Sequence, residues 1–124
     1  MKRAYRLRRS DQFQRVRRVG RAWNTPLLTL NAAPSRRRVS RCGFIAGKRL
    51  GKAVERNRAR RRVREAVRLH YDKLAPGWDL VFILRSPDLL MIEFTQLQAL
   101  IEQLLRRAQV WRASAVDQDV STQR

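Results

Sequence analysis

The stretch GKAVERNRARRRVREA, residues 51–66, decides the fold. It carries arginine at positions 56, 58, 60, 61, 62 and 64, with a further cation at Lys52. A segment so crowded with like charge folds only if its apolar residues share one side. From Asn57 onward Ala59, Val63, Ala66, Val67, His70 and Leu74 recur at helical spacing, within about 100° of one helix face. Arg58, Arg61, Arg64 and Arg68 fall on the opposite side. The pattern predicts an amphipathic helix that buries one face and presents arginines on the other. Gly47 and Gly51 punctuate its entry, and Pro76-Gly77 ends it.

Working outward, Ser10 is placed to cap a short helix running to Val19, with Phe13 and Val16 on one face and Gly20 to stop it. Leu27 to Ala33 is apolar and too short for a stable helix, and Val39 to Ala46 alternates. With the basic turn at residues 34–38 between them, the two read as a hairpin. WDLVFIL, residues 78–84, is the most strand-like run and reads as central in its sheet. From Phe94, the residues Leu97, Leu100, Ile101, Leu104, Leu105 and Ala108 form a helical stripe that extends to Trp111. The order is α-β-β-(β)-α-β-α, an α/β sandwich with helices packed on a small sheet. Residues 1–112 are expected to form one domain, and 113–124, which lose periodicity, a disordered tail.

The chain has 124 residues and a formal charge of +19, from 29 Lys and Arg against 10 Asp and Glu. That composition suits a polyanion, because each cation that neutralises a phosphate releases condensed counterions. Arginine in particular forks onto phosphates and stacks on bases, so nucleic acid is favoured over a membrane surface. No apolar run approaches the roughly 20 residues of a membrane span. The basic N-terminus lacks the apolar core of a secretory signal, and the chain is read as cytoplasmic. Cys42 is alone, which excludes an internal disulfide, and reads as a small core residue. His70 is likewise a core-facing residue without metal-site partners. The acids are scattered and no phosphate-cradling glycine loop is present, so no catalytic residue and no metal site is assigned. A solvated basic face, a DNA-reading helix and an RNA-binding helix remain open. A helix face that is nearly all arginine suits backbone contacts better than base readout.

The same residues resemble a known family. KAVERNRARRRVRE, residues 52–65, is similar to the RNR signature of the protein subunit of bacterial ribonuclease P. The likeness extends to Arg6, Leu7 and Phe13, to RCGFIAGKRLG from Arg41, to Trp78-Asp79 and to the closing leucine helix. It implies an α/β sandwich with a left-handed βαβ crossover. It also implies a non-catalytic subunit that binds a large catalytic RNA, which itself requires Mg²⁺, and helps it remove the 5′ leader of precursor tRNA. The partners so implied are the ribonuclease P RNA and precursor tRNA, and the protein is read as monomeric. A structural RNA-binding protein of ribosomal type is the alternative.

Carried across, the resemblance assigns RNA contacts to Lys48, Arg49, Lys52, Arg56, Asn57, Arg58, Arg60, Arg61, Arg64 and Arg68. Asn57 has a second reading as helix cap, and Glu65 as the residue that orients Arg61. Arg60 and Arg62 lie on the flanks of the helix. For the single-stranded leader the resemblance points to Phe13, with Arg17 and Thr29 where the family often has aromatics. Phe13 is open to two readings, core residue or stacking platform.

Overall fold

Trp78–Leu84 forms a strand buried on both faces, and its alternation sorts the rest of the molecule into two layers. In the computed structural model, which describes residues 1–112, this strand is β4. The preceding elements are α1 (Ser10–Val19), β1 (Arg21–Asn24), β2 (Leu28–Pro34), β3 (Arg41–Ala46) and α2 (Ala53–His70). The last is α3 (Phe94–Arg107). The sheet order is β1-β2-β4-β3. β2 pairs antiparallel with β1 and β4, while β3 pairs parallel with β4. Arg41 opposes Asp79 and Phe44 opposes Phe82 in that parallel register.

β2 and β3 are therefore not a hairpin. β4 inserts between them, and the true hairpin is β1–β2, whose first strand, RAWN, is too short and polar to announce itself. The sequence at residues 34–38 is turn-like in either arrangement, so adjacency along the chain is misleading here. The parallel β3–β4 pair needs a crossover, and α2 supplies it.

One face of the sheet presents Leu28, Leu30 and Ala32, Cys42 and Ala46, and Leu80, Phe82 and Leu84 to α2 and α3. Ala59, Val63, Ala66 and Val67 of α2 meet Leu97, Ile101, Leu104 and Leu105 of α3 in this main core. Cys42 is fully buried there, and burial pushes its thiol pKa up to about 12. The opposite face is covered at one end by α1: Leu7, Val16, Ala33 and Val81 form a second, smaller core, edged by Phe13, Ile45 and Ile83.

Helix ends differ from expectation in three places. Ser10 is the first helical residue, and the cap is Arg9, with Gln12 Oε1 accepting the Arg8 and Arg9 N–H groups at 3.0 Å. α2 begins at Ala53, a turn before Asn57, so Asn57 is no cap. Instead Glu55 reaches back to the Lys52 N–H at 3.0 Å. That reach needs Gly51: at φ +136° a Cβ would sit 2.8 Å from Glu55 Oε1. α3 stops at Arg107, because Gln109 turns left-handed (φ 61°) and sends Trp111 to bridge Leu74. The expected tail, 113–124, lies outside the described residues. No helix among the described residues is long and apolar enough to cross a membrane.

Candidate nucleic-acid interface

The arginines of α2 divide into sets with different neighbours. Arg58, Arg61 and Arg68 are exposed on the face away from the core, as the spacing predicts, and Lys48, Arg49 and Lys52 lie exposed just before them. Arg68 is held by a two-pronged pair with Glu65, at 2.9 and 2.6 Å. Glu65 thus orients Arg68, three residues on, rather than Arg61. Asn57, also exposed, accepts a hydrogen bond from Arg60.

Arg56, Arg60 and Arg64 form a sheltered stripe at four-residue spacing on one shoulder of the helix, each half-buried. The Arg64 guanidinium lies 5.9 Å from the centroid of Phe44, which itself stacks on Phe82 at 5.5 Å. Burial, and then the positive charges of Arg6, Arg60 and Arg61, lower the Arg64 pKa. Arg64 is thus a crowded cation, and an anion alongside it would relieve the repulsion. Its Nε and that of Arg56 are buried without a hydrogen-bond partner among the described residues. An unmet buried donor costs about 1–3 kcal/mol, which an RNA phosphate could recover.

Arg62, on the other shoulder, donates to the carbonyls of Leu89 and Ile92. It fastens α2 to the turn at Pro87–Leu90 and has no guanidinium fork left for RNA.

The cleft beside α1 is built around a close approach. Phe13 stands over Gly43 of β3, where a Cβ would come within 2.4 Å of the ring. The ring is half-buried: one face belongs to the small core with Leu7 and Val16, and its rim lines a surface recess shared with Phe44, Arg6, Arg60 and Arg64. Phe13 is thus part core residue and part wall of the recess. Arg17, one turn later, is exposed. Thr29 is only 2% exposed. Its hydroxyl donates to Asn24 Oδ1 at 2.8 Å and accepts from Arg85 Nε at 2.7 Å, which leaves Arg85 as the exposed group at that point.

α1 is held to the sheet by an ion-pair cluster that sequence reading did not single out. Asp79 is 2% exposed on β4 and accepts from Arg41 Nε and Nη2 at 3.0 and 2.9 Å. Arg15 of α1 reaches the same carboxylate at 3.4 Å and donates to the Pro34 carbonyl at 2.8 Å. The available signal was a lone acid in an apolar strand, which must find a cationic partner. Asp79 is therefore committed to guanidinium groups, and no cluster of three or more His, Cys, Asp or Glu gathers among the described residues.

Both the sequence and the fold of this chain have counterparts among known proteins. A family model described as Ribonuclease P matches residues 1–109. The "Ribonuclease P protein component" of Roseiflexus castenholzii is 69% identical over 110 residues, covering 89% of this chain and 90% of that protein. That of Chloroflexus aurantiacus is 57% identical over 108 residues, covering 87% and 80%. Among solved structures, the Staphylococcus aureus RNase P protein superposes with TM-score 0.76 at 26% identity, covering 87% of this chain and 98% of that one. The Thermotoga maritima RNase P protein gives 0.74 at 26%, covering 82% and 96%. Matched by the family model over residues 1–109 and by solved structures over most of its length, the chain belongs to the ribonuclease P protein family.

Proposed function

We propose that this chain is the protein component of a bacterial ribonuclease P, binding the catalytic RNA and the 5′ leader of precursor tRNA while the RNA cleaves the leader. The observation that carries the reading is α2, whose arginines exceed what its own packing uses in a chain that belongs to this family. Lys48, Arg49, Lys52, Arg58, Arg61 and Arg68 meet phosphates of the catalytic RNA from the exposed side. Asn57 does so from that side too, and Arg56, Arg60 and Arg64 from the sheltered shoulder. The leader passes the cleft at Phe13 and Arg17, with Thr29 beneath and Arg85 as the group that reaches it.

No side chain of the protein takes part in bond cleavage in this reading. Mg²⁺ in the holoenzyme belongs with the RNA in this reading; among the described residues the one buried carboxylate, Asp79, is already paired with two arginines. The protein acts as a monomer.

The test is cleavage of a 5′-extended precursor tRNA by a bacterial ribonuclease P RNA at low Mg²⁺, with and without the protein. Protein-dependent cleavage at the mature 5′ end is expected. Tight RNA binding without stimulation would instead make the chain a structural RNA-binding protein.

A further inference from the structure

The exposed arginine face of α2 ends in a pocket. Arg68, its last member, shares that pocket with Met1, Lys2, Tyr5, Tyr71 and Asp72. It measures about 380 Å³, within the range of cavities that take one small organic group. It lies at the C-terminal end of α2 and has no lining residue in common with the recess at Phe13.

The pocket walls are fixed by contacts within the protein. Tyr5 and Tyr71 stack with centroids 4.4 Å apart and planes 19° from parallel. The Tyr71 hydroxyl donates to the Ser40 carbonyl at 2.6 Å, and burial pushes its pKa up, so the ring is anchored beside β3 as a neutral donor. Tyr5 closes the turn Arg3–Tyr5, its N–H donating to the Lys2 carbonyl at 3.0 Å. Arg68 is held by both oxygens of Glu65. Walls ordered in advance lose little freedom on binding. Packing does not account for Tyr5, which is only part buried and belongs to neither apolar core.

Asp72 is the second signal. It is exposed and forms no salt bridge among the described residues, in a chain with 29 Lys and Arg against 10 Asp and Glu. A free carboxylate at the end of a phosphate-binding face repels the backbone of the nucleic acid, unless it meets hydrogen-bond donors there. The Watson–Crick edge of guanine supplies two side by side, N1–H and the N2 amino group, matched to the two oxygens of a carboxylate. The other bases each place an acceptor next to their donor on that edge. The tyrosines therefore suit the face of an unpaired base, and Asp72 suits the edge of one base in particular.

We propose that this pocket takes one unpaired guanine of the catalytic RNA, its ring against Tyr5 and its edge on Asp72, with a flanking phosphate between Arg68 and Lys2. This rests on the functional reading above. The catalytic RNA is the source because the face of α2 that meets it in that reading runs into the pocket through Arg68. The pocket adds one base-specific contact to an interface otherwise made by cations on phosphates.

The experiment forms the complex of the full chain with a bacterial ribonuclease P RNA, with and without precursor tRNA. Unpaired guanines are probed with the dicarbonyl reagent kethoxal, which needs N1 and N2 free. At saturating protein, wild type should protect a guanine of the catalytic RNA that Asp72→Asn leaves reactive. Arg61→Ala, outside the pocket, should leave it protected. Tyr5→Ala should weaken binding by about five- to 150-fold, the range for losing one stacked base. Replacing the protected guanine with inosine, which lacks the N2 amino group, should weaken wild-type binding and leave Asp72→Asn binding unchanged. Should Tyr5→Ala fail to fold by circular dichroism, the Asp72→Asn and inosine arms decide, since neither alters packing. Equal protection by wild type and Asp72→Asn would overturn the proposal. So would protection confined to precursor tRNA, or an inosine effect that persists in Asp72→Asn. If wild-type protein does not bind the catalytic RNA, the functional reading itself fails, and that shows before any variant is compared.

Discussion

Asp79→Asn tests the structural reasoning most directly, because the substitution keeps shape and one acceptor oxygen while removing the charge. Arg41 is only 12% exposed in its side chain and makes two charge-assisted hydrogen bonds to Asp79. Removing one member of such a buried pair costs about 3–5 kcal/mol, mainly because the other charge is left uncompensated. The small exposure of Arg41 places the expected loss near the low end, about 3 kcal/mol. At roughly 4 °C per kcal/mol for a domain of this size, Tm should fall by about 12 °C. Arg15 adds little: at 3.4 Å and 44% exposure it resembles a surface pair, worth about 0–1 kcal/mol. The assay is urea unfolding followed by circular dichroism, on Asp79→Asn, Arg41→Met and the double variant Asp79→Leu with Arg41→Met. Both single variants should lose several-fold more stability than Arg15→Met, and the double variant should recover much of it, since an apolar pair of similar volume often replaces a buried ion pair without loss. A loss below about 1 kcal/mol for Asp79→Asn, or additive losses in the double variant, would refute the clamp.

Other consequences can be checked separately. Arg61→Ala, on the exposed face of α2, should lower the log-log salt slope for catalytic RNA by up to about one unit. Arg62→Ala should leave that slope unchanged and lower Tm instead, because its hydrogen bonds run to Leu89 and Ile92. Gly51→Ala should destabilise the protein by more than about 1 kcal/mol in urea, since alanine is disfavoured at φ +136° and its Cβ would press on Glu55. Gly43→Ala should push the Phe13 ring outward, lowering affinity for leader-bearing precursor more than for mature tRNA in a filter-binding assay. Cys42, whose thiol rises from an ordinary 9.0 to about 12, contributes stability that is fully present below pH 9 and lost as pH climbs through 12. Unfolding of wild type and Cys42→Ala at pH 8 and 10.5 should show the steeper decline in wild type.

How much could be read beforehand varied with the physics of each element. β4 was placed to the residue and α1 to within one residue at its start, because each combines a strong apolar pattern with a clear stop, Gly20 after α1 and Ser86-Pro87 after β4. Strand neighbours were misjudged: alternation tells which residues share a face but not which strand lies alongside, and β4 arrives from beyond α2. α3 looked longer because Val110 and Trp111 continue its apolar run, yet the left-handed Gln109 ends it. On α2, helical spacing found the exposed Arg58, Arg61 and Arg68. It set Arg64 on the same side because periodicity cannot foresee that the edge of β3 would shelter one shoulder. Arg15 gave no signal among so many arginines, and Arg6 and Arg41 entered only through the family likeness, without a role, until Asp79 and Arg64 supplied their surroundings.

The insertion of β4 between β2 and β3 also fixes the order in which the molecule can form during synthesis. When the ribosome has delivered α2, the strands on either side of the future sheet still lack the one that joins them. The arginine helix therefore emerges with its apolar face uncovered and waits for Trp78–Leu84. The β1–β2 hairpin can form before that point, but β2 and β3 lack their pairings with β4, and distant pairings of this kind form slowly. For that interval the chain presents its arginines before its central strand is in place, so any RNA it meets then meets an unfinished sheet.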